Sequence, residues 1–165
     1  MNTAIIRYLK SAFVLFFAVY VSLVVLGNVT DYNTNFQFVK HVLSMDTTFE
    51  GNNIIYRAVK GTALHHTAYI LIIVTEFIVA LLLIIGGVKL LVNSRAGGEG
   101  FQRAKNSAVI GLGLALAIWF FGFMAVGGEW FGMWMSSKWN GLASADRIVS
   151  YIFGALIFLS LKNDE

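Results

Sequence analysis

The chain has 165 residues, 58% of them hydrophobic and 13% charged, with no Pro, no Cys and a formal net charge of +3; ordinary soluble domains run at about 45–50% apolar and about 25% charged. That composition excludes a disordered chain, a disulfide framework, a thiolate metal site and a water-soluble enzyme of ordinary make-up. So small an excess of positive charge is not the footprint of a nucleic-acid binder, and in a membrane chain it sets orientation instead.

The first element is an uncharged run over 11–29 with the core AFVLFFAVYVSLVVLG. Arg7 and Lys10 precede it as they would in a signal peptide, but the run is long for an h-region and no A-x-A site follows, so it is read as a retained span. An outer segment, 28–64, comes next. Within it Phe36, Val39, Val42 and Leu43 recur at helical spacing and predict a short amphipathic helix over 35–45, lying on the membrane surface or capping the bundle. Residues 56–66 are expected to lead helically into the second span, 67–88, which carries a single charge, Glu76, and ends near Gly86-Gly87, a pair that would loosen its inner end.

The linker VNSRAGGEGFQRAKNS is a short turn whose AGGEG lacks the Lys-Ser/Thr of a phosphate loop. The third span, 107–128, is uncharged and rich in Gly, Ala and aromatics. After a second outer segment, 129–146, the last uncharged run, IVSYIFGALIFLSL, falls short of the roughly 20 residues that a span needs. The fourth span is therefore extended on its N-terminal side to cover 143–161. The fold class is all-α: a polytopic membrane protein in which 1–165 form a single domain of four transmembrane helices with a short extracytoplasmic amphipathic helix. Arg7, Lys10, Lys89, Arg95, Arg103, Lys105 and Lys162 fall on one side of the spans, and Lys40, Arg57, Lys60, Lys138 and Arg147 on the other. The bias places both termini in the cytoplasm.

Glu76 is the most informative residue, because an ionised carboxylate inside hydrocarbon costs about 2.5–3.5 kcal/mol even by insertion scales. It stands 13 residues above Lys89, about 20 Å, and Arg147 stands 15 residues above Lys162, about 22 Å. Equal depth predicts an intramembrane Glu76–Arg147 ion pair. Otherwise Arg147 snorkels to the interface and Glu76 stays protonated, bonded to Tyr20, Ser22 or Trp119. The three histidines, His41, His65 and His66, lie in or beside the first outer segment. The adjacent two point about 100° apart on a helix, so no metal and no haem or other cofactor is expected.

Trp130 and Trp134, four apart and beside Glu129, suit an interfacial aromatic belt. If helical, they also share one side of a helix, and with Asn28, Asp31 and Asp46 they would form an extracytoplasmic binding face. In the third span Ser107, Gly111 and Ala115 make one small-residue stripe and Gly113 and Ala117 another, and Ser150 and Gly154 repeat the spacing in the fourth. Small residues let helices approach closely where lipid offers no hydrophobic drive.

The runs GNVTDYNTNFQFVKHVLSMDTTF and GGEWFGMWMSSKWNG resemble a bacterial family described as predicted small integral membrane proteins, a domain of unknown function, and the likeness covers nearly the whole chain. The resemblance implies a four-helix protein of the bacterial inner membrane and supplies no activity. No nucleophile–base arrangement, metal cage or paired carboxylates on one span is visible, so the expected role is non-catalytic. It is helix-to-helix association in the lipid bilayer, as an accessory subunit or protective, immunity-type partner of a larger membrane assembly, with other membrane subunits or copies of itself as partners. The alternative is a small proton- or ion-coupled transporter or channel subunit using Glu76 and Arg147.

Overall fold

The computed structural model describes residues 3–164. Six α-helices follow one another: α1 (Thr3–Thr30), α2 (Tyr32–Ser44), α3 (Thr62–Val92), α4 (Gly98–Ala104), α5 (Asn106–Leu116) and α6 (Leu142–Ser160), with α5 prolonged by a π-helical stretch, Ala117–Trp130. Among the described residues there is no strand. Four rods are long and apolar enough to cross a membrane: α1, α3, α4–α5 with its π-helical continuation, and α6.

Each rod buries one stripe. Val14, Ala18 and Val21 of α1 meet Val79 and Leu83 of α3, Leu112 and Ala115 of α5 and Ile152 and Ala155 of α6 in one core. The opposite faces carry Phe16, Leu23, Leu71, Phe77, Ile110 and Ile157, all well exposed. In water so much exposed apolar surface would drive association. In lipid it is the expected outer coat, since the helices satisfy their own backbone groups and the acyl chains accept the side chains.

α1 and α3 run antiparallel in extensive contact, and α3 does the same with α5. The Gly86-Gly87 pair permits it. A Cβ at Gly86 would lie 2.5 Å from the backbone N of Ala108, and one at Gly87 would lie 2.6 Å from Cδ2 of Leu15. The pair thus holds the bundle together instead of loosening it.

The amphipathic helix predicted over 35–45 is α2, which begins earlier, directly after α1. Its Phe36 and Val39 are buried against Tyr69 of α3, so it caps the bundle. The helical lead-in expected over 56–66 does not form as one piece. Ile55–Arg57 is a single 3-10 turn, Ala58 is extended, and α3 starts at Thr62. The backbone N–H of Val59 donates to Leu43 O (2.8 Å) and His65 Nε2 lies 2.7 Å from Val59 O, which ties this stretch under α2.

Through Ala117–Trp130 the backbone bonds widen from four to five residues, ending with Phe131 N to Val126 O at 3.0 Å. π-Helical geometry is rare beyond a single turn and gathers at functional sites. Gly128 lets this stretch meet α6, since a Cβ there would lie 2.8 Å from Leu142 Cδ2.

Candidate functional site

Polar groups inside the bundle gather at its two ends. At the end where the chain starts and finishes, Asp164 (fully buried) folds back under α1. Its Oδ2 is 2.7 Å from both Lys10 Nζ and Lys105 Nζ, and Gln102 Nε2 donates to its Oδ1 at 2.8 Å. Arg7 Nε donates to the backbone carbonyl of Asp164 (2.8 Å), and Arg7 NH1 donates to those of Ala96 (2.6 Å) and Ser94 (3.3 Å). Lys10 Nζ also donates to Leu161 O. Phe101 lies under Arg7 at 4.9 Å. Sequence reasoning took Arg7, Lys10 and Lys105 only as orientation signals. All three are buried, and nothing in their spacing marks them as partners of Asp164. Burial alone would lift the Asp164 carboxyl, but its contacts with Lys10, Lys105 and Gln102 outweigh that and hold it below the usual carboxylate range.

At the other end, Asn28 of α1 meets α3. Its Nδ2 donates to Glu76 Oε2 at 2.7 Å, while the hydroxyl of Tyr69 donates to Asn28 O (3.1 Å) and Oδ1 (3.2 Å). Glu76 is only 2% exposed. Its partner is therefore Asn28 and not Arg147, and among the described residues no ion pair joins Glu76 to Arg147. Depth arithmetic fixes height along a helix but not direction around it. On α6, Ala145, Val149 and Ile152 face inward, and Arg147, two residues from each of the first two, projects about 200° away from them at 100° per residue. It is exposed. Nor does Glu76 use Ser22, whose hydroxyl donates to Ala18 O.

Asn28 stands 21 residues beyond Arg7 on one continuous helix, about 32 Å away at 1.5 Å per residue. With the buried basic cluster at one limit of an apolar layer about 30 Å thick, the Asn28–Glu76 pair falls close to the other limit, shallower than mid-membrane. Replacing Asn28 by Ala strips Glu76 of its donor and Tyr69 of its acceptor side chain, and is expected to cost about 1–3 kcal/mol. Arg147→Ala is expected to stay within about 0.5 kcal/mol. Denaturant titration in mixed micelles reads both, and the opposite order would restore the ion pair.

The remaining residues of the expected outer binding face are dispersed. Asn28 has turned inward. Asp31 sits exposed at the start of α2. Asp46 holds His41 Nδ1 at 2.8 Å, and that imidazole stacks on Trp139 at 4.7 Å. Trp130 and Trp134 do not share a helix: Gly132, at φ +63°, ends the π-helical stretch and Met133–Met135 form a separate turn. Trp130 instead takes the Arg57 guanidinium over its ring at 4.5 Å, and Trp134 meets the edge of Phe49 at 5.8 Å. Glu129 is exposed. The histidines go to separate partners: besides His41 and His65, His66 Nδ1 lies 2.8 Å from the Tyr32 hydroxyl, with its ring stacked on Phe36 at 3.9 Å.

The small residues divide into two sets. Gly111 and Ala115 face the core, where a Cβ at Gly111 would lie 3.0 Å from Leu82 Cβ. Gly113, Ala117, Ser150 and Gly154 face outward, and neither Gly113 nor Gly154 has anything within 4 Å of the place a Cβ would take.

Four apolar rods, lipid-compatible outer faces and polar contacts confined to the two bundle ends define an integral membrane protein of four transmembrane helices. The chain belongs to the family described as predicted small integral membrane protein (DUF2165), whose model matches residues 6–162. No curated protein and no solved structure matches it.

Proposed function

We propose that this is a non-catalytic protein of the bacterial inner membrane that works through helix–helix association, as an accessory subunit or protective, immunity-type partner of a larger membrane assembly. The reading rests on the outward set of small residues. A helix-interior glycine is unfavourable by about 0.5–1 kcal/mol relative to Ala, and Gly113 and Gly154 give nothing back within their own bundle. With Ala117 and Ser150 at spacing four they form two flat strips on the lipid-facing surface, the feature that close helix pairs in membranes use. The basic residues Lys89, Arg95 and Arg103, together with the buried cluster, gather at the end where the chain starts and finishes, which supports a cytoplasmic location for both termini.

The chain contains no Cys, so single-cysteine variants report contacts cleanly. Gly113→Cys and Gly154→Cys are expected to cross-link in native membranes, to a copy of the chain or to another subunit. Gly113→Leu and Gly154→Leu are expected to abolish association in mild detergent without lowering the unfolding temperature. Bulky variants that co-purify with the same species as the parent chain would refute the reading.

A further inference from the structure

A cavity of about 350 Å³ lies beneath α2, between α1, α3, the π-helical stretch and the start of α6. Its wall holds one formal charge, Glu76, whose Oε2 is engaged by Asn28; among the described residues no hydrogen bond reaches Oε1. No Lys, Arg or His lines it. Four aromatic rings do: Phe38, Tyr69, Trp119 and Phe123. Asn140 and Ser144, both exposed, border it on the α6 side.

A carboxylate without a counter-charge in a cavity lined by four aromatic side chains is the chemistry that recognises an organic cation. The ring quadrupoles attract ammonium groups, most strongly where water is excluded, and the buried carboxylate gains a counter-charge that it otherwise lacks. A hydrated inorganic ion would leave the four rings without a role.

Beside this cavity runs an apolar groove of about 450 Å³ between α2, α3 and the π-helical stretch. Phe38, Val39, Ile72 and Phe123 line both spaces, with the Phe38 and Phe123 rings stacked at 6.1 Å. Leu71 and Ala117, on the groove's rim, are exposed on the lipid-facing side. An apolar chain laid in the groove would therefore reach the wall that it shares with the cavity of the carboxylate.

We propose that the two spaces form one binding site for an organic ammonium group carrying an apolar tail, with the head against Glu76 and the rings and the tail in the groove. The head is either the amine of a membrane lipid or that of a free lipophilic amine. Purified protein in a neutral maltoside detergent is titrated with dodecyltrimethylammonium, with dodecanol and with tetramethylammonium, reading tryptophan fluorescence. Saturable binding of the first, tighter than either of the others by about tenfold or more, is expected. Equal binding of the neutral alcohol overturns the proposal.

Glu76→Gln is expected to weaken the ammonium ligand about tenfold and to leave dodecanol unchanged. Ser144→Trp, which plugs the α6 side from an exposed position, is expected to do the same should the first variant fail to fold, and undiminished ammonium binding in the folded variant overturns the site. Competition by phosphatidylethanolamine supports the site with a lipid amine as its occupant, and binding indifferent to that lipid supports it with a free amine.

Discussion

Asp164→Asn is expected to destabilise the bundle by about 3–5 kcal/mol, the cost of removing one partner from a buried ion cluster. The fold provides the reason: Lys10 and Lys105 converge on the same carboxylate oxygen, and both are buried. Without it two buried ammonium groups face each other, and among the described residues Lys10 keeps the Leu161 carbonyl and the Phe158 ring. The same carboxylate makes stability depend on pH. Its folded pKa lies below the ordinary 3.8 of an aspartate, so the native state prefers the ionised form. The contribution is complete above the unfolded value and is lost as pH falls through the folded one. The part of the unfolding temperature that this group supplies in a neutral detergent should therefore be flat from neutral pH to about pH 5 and drop below that range. In Asp164→Asn the acid drop attributable to this group should vanish. A variant as stable as its parent at pH 7 would show that the cluster contributes nothing.

Gly86→Ala is expected to be as damaging as many core truncations. Its methyl group would stand 2.5 Å from Ala108 N and 2.8 Å from both Ala108 Cα and Cβ. Two of those atoms are backbone, so no side-chain rotation relieves the clash and α3 and α5 must separate. Overpacking of this kind costs about 1–3 kcal/mol or more. Gly113→Ala supplies the contrast: with nothing within 4 Å, the same methyl group should be neutral, or stabilising by about 0.5–1 kcal/mol through helix propensity. Unfolding followed by tryptophan fluorescence in mixed micelles compares the two, and an equal effect would show that the α3–α5 contact is looser than described.

Hydropathy made the four rods legible, because the charges inside them are few and the outer coat is as apolar as the core. The amphipathic α2 was legible from Phe36, Val39, Val42 and Leu43, whose spacing marks one face of a helix. Glu76 announced itself as the lone acid of its span, but its partner did not. Asn28 lies at the end of the first apolar run and carries no charge, so nothing in composition links it to a carboxylate 48 positions away. Arg147 was favoured because charge and depth are visible in a sequence while azimuth is not. The Asp164 cluster was missed for a related reason. Basic residues flanking spans are commonplace, and only the folding back of Asp164 beneath α1 brings Lys10 and Lys105 to its carboxylate and Arg7 to its backbone carbonyl. The π-helical stretch had no readable cause beyond its glycines, and it separated Trp130 from Trp134 by ending at Trp130, just before the turn at Gly132.

The closure around Asp164 also bears on how the bundle is made. Lys10 is synthesised well before the carboxylate that neutralises it and Lys105, which is translated more than 150 positions later. Until then Lys10 lacks the carboxylate that it meets in the finished fold. The cluster closes only once translation has passed α6, so a chain cut short after that helix would keep Lys10 and Lys105 without their shared carboxylate.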